Sequence, residues 1–266
     1  MESEQSGAFF RVIDKESVSV FESVRSYKEV IFRLEDHLER LYASAKTVGL
    51  KIHETPLELE GRLYQALEQS GKKDAFLRLT ITAYGISVMV TSRDYPQEVF
   101  EKGVRIQTSA VKKSVSGSFY PEAKTSSYGP QILATLEMPE SAFEVFFLSQ
   151  EGYLRETRTS NVFMVKNGIL KTPPCVGVLD GVTRRVVFET AREISLPVEE
   201  VYLTRHDLFN AEEVFLTNTS GEIVPVREID GRIINNQVPG VWTKRLRMCF
   251  GKKVREYRKE HRRVKN

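Results

Sequence analysis

The sequence predicts an α+β fold in two domains. Stretches in which apolar residues recur every three to four positions alternate with short stretches of period two, so both helices and strands are expected. The chain of 266 residues is longer than a typical single domain. Residues 92–96 (SRDYP) interrupt both patterns. We therefore predict a small N-terminal α+β domain over 1–100 and a larger, β-rich C-terminal α+β domain over 101–266.

The N-terminal domain is predicted to contain strands before and after two helices. Apolar residues spaced along one helical face from Leu34 stop at Gly49, and glycine commonly ends a helix. Alternating residues on both sides of Gly85 predict a hairpin. The first two predicted elements are strands, one with Val18 and Val20 and the other over 30–32, joined by a turn near Tyr27 and Lys28. Helices over 34–48 and 57–69 and strands over 77–83 and 86–91 follow.

The C-terminal domain is predicted to have a largely β core. Short apolar stretches are separated by turn sequences such as QEG at 150–152 and KNG at 166–168. Two longer stretches with helical periodicity interrupt them. The predicted strands are 143–148, 162–165, 169–172, 213–216 and 223–225, and the predicted helices are 182–194 and the segment from 241 onward.

The composition excludes several classes of protein. A charged fraction of 28% and an aromatic fraction of 10% are ordinary for a globular protein, which excludes disordered, collagen-like and coiled-coil chains. No uninterrupted apolar run exceeds four residues, so no membrane span is predicted. Residues 1–16 lack the apolar core of a signal peptide, and the two cysteines, Cys175 and Cys249, cannot form a disulfide framework. We expect a reduced, cytoplasmic protein.

The net charge of +3 conceals a basic C-terminus. Residues 244–266 contain eleven Lys and Arg against two Glu, which leaves 28 basic and 34 acidic residues in the rest of the chain. Such a segment can attract nucleic acid or an acidic membrane surface. Only Phe250 and Tyr257 supply aromatic rings there, so a helix with a solvated cationic face is the favoured interpretation and nucleic-acid binding is not expected.

Several well-known site motifs are absent from the sequence. Neither G-x-G-x-x-G nor G-x-x-x-x-G-K-[ST] occurs, which weighs against the nucleotide-binding folds that carry them. The four histidines lack ligand spacing and neither cysteine is near one, so no metal site is predicted. The absence of G-x-S-x-G weighs against a serine hydrolase.

Three segments carry groups with possible chemistry, and each also has a plain structural interpretation. In GVLDGVTRR (177–185) a glycine precedes a helix, whose N-terminus can bind a phosphate or simply be capped by a side chain. Lys124 is either a solvated surface charge or a buried amine that forms a Schiff base. Glu156 either lies beside a cationic ring or belongs to a surface turn stabilised by Asn161. Taken singly, none of the three decides the function.

The order of these segments in the chain resembles the fold-type IV pyridoxal-phosphate enzymes. That family contains branched-chain aminotransferases, D-amino-acid transaminases and aminodeoxychorismate lyases. The resemblance covers about 18–243, nearly the whole chain. It is carried by FESVR (21–25), the helix over 32–46 with Arg40, Lys124, ETRTSNVF (156–163), LDGVTR (179–184), EVFLTNT (213–219) and VPV (224–226).

The resemblance implies pyridoxal 5′-phosphate as the cofactor, which acts as an electron acceptor. Lys124 would bind it as an imine and move a proton between the substrate Cα and the cofactor C4′. Glu156 would keep the ring nitrogen protonated, because an adjacent anion favours the charged form. Leu179 would pack on the ring. The phosphate would be bound by Arg40, Val182, Thr183 and Thr219.

The resemblance leaves the substrate open. The apolar side of the substrate site would be formed by Phe21, Tyr84 and Tyr128, and its carboxylate would be bound by Arg25 and Arg78, although surface pairing of the two arginines is an equal alternative. Departures from the family pattern, such as Asn218 before Thr219, lie on the substrate side.

Three hypotheses about function follow. An aminotransferase acting on branched-chain amino acids is favoured, with D-amino-acid specificity as a variant. The second is the lyase that releases 4-aminobenzoate and pyruvate. The third is a cofactor-binding or interaction protein that works through its basic tail. The family also implies a homodimer with its active site between the two domains and near the dimer interface.

Overall fold

The structure is a computed structural model that describes residues 18–113, 120–126 and 129–262. The chain divides into two compact units. Among the described residues, the first unit comprises 18–91 and 123–126, and the second comprises 92–113, 120–122 and 129–262. Both units combine helices with sheet, so the predicted α+β class is confirmed.

The first unit is a four-stranded antiparallel sheet in the order β2-β1-β3-β4, with two helices packed on one face. Its elements are β1 (Val20–Tyr27), β2 (Val30–Ile31), α1 (Leu34–Val48), α2 (Pro56–Gln69), β3 (Ala75–Thr82) and β4 (Gly85–Thr91). Helix α2 begins at a capping box, in which Thr55 and Glu58 each bind the other's backbone N–H. Strands β1 and β2 are antiparallel neighbours joined by a turn at Lys28 and Glu29, which confirms the two strands and the turn predicted for this segment.

The two faces of this sheet differ, because successive side chains along each strand point to opposite sides. One face packs against the helices and the other carries Phe21. Residues such as Val24 and Leu77 pack against the helices and form the core together with Leu41 and Leu63. Because successive side chains point to opposite faces, the other face carries Phe21 and its period-two neighbours. The helix-facing row of β1 also includes Glu22, a carboxylate within an otherwise apolar face.

The second unit is a nine-stranded mixed sheet in the order β10-β9-β8-β11-β12-β5-β6-β7, with β13 paired to β12. The β12–β5, β5–β6 and β10–β9 pairs are parallel. Its strands are β5 (Val104–Lys112), β6 (Glu144–Leu148), β7 (Leu154–Thr157), β8 (Asn161–Lys166), β9 (Ile169–Thr172), β10 (Val198–Glu200), β11 (Glu213–Asn218), β12 (Glu222–Ile229) and β13 (Arg232–Ile233). Its helices are α3 (Gln97–Lys102), α4 (Gly129–Glu137), α5 (Val182–Glu193), α6 (Arg205–Phe209) and α7 (Val241–Glu260).

The C-terminal basic segment forms most of α7. This helix buries Leu246, Phe250 and Val254, and Lys253 forms ion pairs with Glu189 and Glu193. Most of its other lysine and arginine side chains are exposed or half-buried. Among the residues that the structure describes, no helix is both long enough and apolar enough to cross a membrane.

Candidate active site

Lys124 lies beside the first strand of the first unit. Its carbonyl accepts a hydrogen bond from the Phe21 backbone N–H at 3.1 Å, and its own N–H donates to Ser44 Oγ on α1 at 3.0 Å. A bridge between Val20 and Thr125 continues this pairing. The Lys124 Nζ atom is 4.7 Å from the centre of the Phe21 ring. The two hydrogen bonds therefore hold the Lys124 backbone against β1 and α1, with its amine at the Phe21 ring.

Strand β1 and helix α1 bring together a buried cluster of charged and polar groups, which we call the Glu22 cluster (Glu22, His37 and Arg40). Arg40 donates through Nε to Glu22 Oε1 at 2.7 Å and through Nη2 to Oε2 at 2.8 Å. His37 Nδ1 lies 2.7 Å from Oε2 and donates to it, since a carboxylate can only accept. His37, Arg40 and Ser44 share the inward face of α1 because they are three, four and seven residues apart.

The electrostatics of the Glu22 cluster favour an ionised carboxylate and a neutral imidazole. Burial opposes ionisation of Glu22, but the charge of Arg40 and the hydrogen bond from His37 outweigh it and hold the pKa of Glu22 well below its usual range. Burial lowers the pKa of His37; the charge and hydrogen bond of Glu22 oppose this, and the charges of Arg40 and Lys124 add to it, so that the pKa stays below its usual value. The guanidinium of Arg40 is thus held in one orientation by a permanent negative charge.

Among the predicted substrate residues, Phe21 contacts both Lys124 and Arg78. The Arg78 guanidinium carbon is 3.9 Å from the centre of the Phe21 ring. Arg25 lies on the same strand as Phe21 but contacts the Tyr27 ring, at 5.0 Å. Tyr84 is in the β3–β4 turn, where its side chain is 80% exposed. The predicted Tyr128 lies outside the described residues.

Glu156 lies in the second unit, at the end of β7, and its buried carboxylate is surrounded by donors. Oε1 accepts a short hydrogen bond from Lys113 Nζ. Oε2 accepts from the Leu179 backbone N–H at 3.1 Å and from Asn161 Nδ2 at 3.3 Å. All three partners donate, an arrangement that suits an ionised carboxylate. The surface-turn interpretation therefore does not describe this residue.

Asn161 connects this carboxylate to the N-terminus of α5. Its Nδ2 also donates to the Leu179 carbonyl at 2.8 Å, and its Oδ1 would clash with a Cβ at Gly181. This close approach favours glycine at 181. Leu179 is half-buried at the centre of these contacts.

The N-terminus of α5 is suited to an anion. Among the described residues, no side chain caps it. The carboxylate of Asp180, which could have done so, instead accepts from Arg185 at 2.8 Å and Arg184 at 3.4 Å. The first turn begins with Val182 and Thr183, both buried, and the dipole and N–H groups of such a turn favour a bound anion.

The loop after β11 joins the same group of residues. Asn218 donates to Ser160 Oγ at 2.9 Å and accepts from the Gly221 backbone N–H at 2.7 Å, so Thr219 lies in a loop bonded to the β7–β8 turn. Thr217 is opposite Asn161 in the ladder, which puts both side chains on one face. In the described part of the chain, its buried Oγ1 has no hydrogen-bond partner.

The structure thus arranges the predicted site residues in two groups, one in each unit. The first unit holds Lys124, Arg40, Phe21, Arg78, Arg25 and Tyr84, and the second holds Glu156, Leu179, Val182, Thr183 and Thr219. The contacts described above link the members of the second group through Asn161 and the loop after β11.

No role was predicted from the sequence for Lys113, Glu22 or His37. For Lys113 the residues gave no signal. Alternation continued from the buried Val104 and Ile106 would put Lys112 inward rather than Lys113, and a register shift after Thr108 reverses this. For the Glu22 cluster, the spacing of His37 and Arg40 on one helix face was the available signal.

Comparison with known proteins gives consistent results. The family described as "Amino-transferase class IV" matches residues 19–229. A Methanocaldococcus jannaschii protein, whose name gives it provisionally as a branched-chain-amino-acid aminotransferase, is 37% identical over 245 residues, which are 87% of this chain and 85% of that protein. The D-alanine aminotransferase of Bacillus licheniformis is 30% identical over 243 residues, covering 87% of this chain and 86% of that protein.

Solved structures give the same result. The T.th. branched-chain amino acid aminotransferase with pyridoxamine 5′-phosphate has a TM-score of 0.85 and 28% identity, covering 94% of this chain and 89% of that one. These comparisons do not favour the lyase alternative. They confirm the predicted cofactor and reaction type. The chain belongs to the class IV aminotransferases, enzymes that use pyridoxal phosphate to transfer an amino group.

Proposed function

We propose that this enzyme transfers an amino group between a branched-chain L-amino acid and a 2-oxo acid. The observation that carries the proposal is the grouping around the Phe21 ring, where an amine (Lys124) and a guanidinium (Arg78) lie next to an apolar surface. Arg78 can bind a substrate carboxylate, and the ring can pack against an aliphatic side chain. The names of the Methanocaldococcus jannaschii relative and of the T.th. structure support the same substrate class.

The side chains present fit pyridoxal phosphate. When bound, the cofactor supplies an electron-accepting ring that stabilises negative charge at the substrate Cα. We assign Glu156 to the ring nitrogen, where its negative charge holds a proton, and Lys124 to moving the proton between the substrate Cα and the cofactor C4′. We assign the phosphate to the α5 N-terminus, Thr183, Thr219 and Arg40, and the ring face to Leu179.

A substrate panel tests the proposed function directly. We expect L-leucine, L-isoleucine and L-valine with 2-oxoglutarate to give the highest kcat/KM, measured beside other L-amino acids, D-amino acids with pyruvate, and aminodeoxychorismate. Preference for D-alanine would replace the proposal with a D-amino-acid transaminase. Release of 4-aminobenzoate as the main activity would replace it with the lyase.

The α5 contribution to phosphate binding is tested by Thr183→Val. Removing a hydroxyl that donates to a charged phosphate costs about 1.5–3 kcal/mol, which corresponds to cofactor affinity weaker by roughly ten- to a hundredfold. Fluorescence titration of the cofactor-free enzyme measures this affinity. The matched control is Thr190→Val on the same helix, where the hydroxyl donates to the Val187 carbonyl. Equal affinity in both variants would contradict the assignment.

This substitution is a sharper test of phosphate binding than Arg40→Ala. Arg40 supplies two hydrogen bonds to Glu22, so its removal leaves a buried carboxylate without its counter-charge. Weaker cofactor affinity in Arg40→Ala would therefore have two causes, the lost phosphate contact and the lower stability of the folded enzyme, and the titration would not separate them. Thr183→Val removes one hydroxyl and disturbs no ion pair.

We also propose that the enzyme is a cytoplasmic homodimer. Helix α4 exposes the apolar side chains Ile132, Leu133 and Leu136, and an exposed apolar patch commonly marks a protein interface. Light scattering of the purified enzyme should give twice the 30.4 kDa mass of the chain. A monomeric mass at working concentration would contradict the homodimer.

A further inference from the structure

Lys113 is a fully buried lysine that is paired with a carboxylate. It follows β5, and its backbone N–H donates to the Leu148 carbonyl on β6 at 3.0 Å, which fixes the start of the side chain. Only 2% of the residue is exposed. Its Nζ contacts Glu156 Oε1, on the oxygen opposite to the one that binds Leu179 and Asn161. A buried ammonium is costly unless it is paired, so this contact accounts for the position of the lysine.

We propose that Lys113 is a positioning residue for Glu156, whose carboxylate it holds in one orientation. This inference rests on the proposed role of Glu156 at the cofactor's ring nitrogen. Leu179 and Asn161 hold Oε2 from one side, and Lys113 holds Oε1 from the other, so the carboxylate cannot rotate without losing one of these bonds. Lys113 supplies the only full positive charge among its three donors.

The position of Lys113 distinguishes it from a lysine that binds the cofactor covalently. In pyridoxal phosphate, the ring nitrogen and the carbon that bears the aldehyde lie at opposite ends of the ring. An amine bonded to the carboxylate that serves the nitrogen is therefore at the wrong end for imine formation. Lys113 acts through Glu156 and not on the substrate.

Another titratable group lies near this pair. Burial raises the pKa of Cys175 to about 11, and the negative charges of Asp180, Glu200 and Glu156 act in the same direction, while Arg184 opposes them. The thiol therefore stays neutral across the pH range in which an aminotransferase is assayed. Changes in the pH profile of a Lys113 variant then report on Glu156 and the cofactor rather than on Cys175.

The test compares Lys113→Met, which removes the charge with similar volume, with Lys113→Arg, which retains it. We expect the acid limb of the kcat/KM profile to move to higher pH in Lys113→Met, because the carboxylate loses its cationic partner, with the rate above the limb within a few-fold of wild type. Lys113→Arg should restore the wild-type limb. The proposal would be overturned if the pH profiles of Lys113→Met and the wild type overlap. It would also be overturned if the acid limb shifts equally in Lys113→Met and Lys113→Arg.

A double variant keeps the proposal testable if Lys113→Met is unstable. Lys113→Met with Glu156→Gln removes both charges, so its melting temperature should exceed that of Lys113→Met alone. If the melting temperature of the double variant is no higher than that of Lys113→Met, the lysine does not act by pairing with the charge of Glu156. Borohydride reduction followed by peptide mapping adds a further check, because a pyridoxyl group on Lys113 would contradict a positioning role. The wild-type substrate panel reports on the proposed function independently of these variants.

Discussion

Replacing Lys124 with alanine is expected to lower kcat for transamination by roughly 10⁴-fold, because general acid–base catalysis by a positioned group contributes up to about that factor. The reason lies in the contacts of Lys124, whose backbone is fixed on Phe21 and Ser44 and whose Nζ lies 4.7 Å from the Phe21 ring centre. Alanine removes the amine that moves the proton between the substrate Cα and the cofactor C4′. Single-turnover rates with L-leucine measure the effect separately from product release.

The matched control is Lys112→Ala, which removes an exposed lysine from the end of β5 and should leave kcat unchanged. In the wild type, borohydride reduction of the cofactor-loaded enzyme should place the pyridoxyl group on the peptide that contains Lys124. If Lys124→Ala retains more than about a hundredth of the wild-type rate, or if the label is on another lysine, the assignment of Lys124 is wrong.

Replacing Glu22 with glutamine is expected to lower the free energy of unfolding by about 3–5 kcal/mol, the usual effect of breaking a buried ion pair from one side. The glutamine has nearly the same shape, but Arg40 then stays buried without a counter-charge. One of the two acceptor oxygens becomes an NH2 donor, which faces a donor of Arg40 or His37. Urea unfolding of the cofactor-free enzyme measures the loss. Glu39→Gln, an exposed substitution on the same helix, should change stability by less than about 0.5 kcal/mol.

The same variant should change how stability depends on pH. Because the pKa of Glu22 in the folded protein is lowered, its contribution is fully present above its unfolded-state pKa, about 4.3, and is lost as the pH falls below that value. Wild-type stability should therefore fall more steeply than that of Glu22→Gln between about pH 5 and the acid limit of folding. Parallel curves for the two proteins would show that Glu22 is not held ionised by Arg40 and His37.

Local rules explain why much of this protein could be predicted from its residues. The helix over 34–48 follows from apolar spacing and a terminal glycine, and the second helix starts at a Thr55–Glu58 capping box within one turn. The order of the motifs around Arg40, Lys124, Glu156 and Thr183 was sufficient to indicate the family and its cofactor. All of these signals depend on residues close together in the chain or on their order along it.

Strand β5 was not predicted, because its local signal is weak. Burial alternates only over 104–107, and from Thr108 onward the alternation is lost, where the pairing with β6 shifts register. The neighbouring strands in the sheet, rather than the residues themselves, define this element.

The sequence by itself thus determined the α+β class, most of the elements, the family and the identity of the groups with chemistry. The tertiary structure alone decided how those groups are held. Lys113 meets Glu156 across 43 positions of the chain, and Arg40 meets Glu22 across 18. Helix and strand periodicity relates only residues a few positions apart. Which distant charges pair depends on the order of strands in the sheet and on which helix covers which face, because these decide which charges are buried side by side and a buried charge is costly unless it is paired.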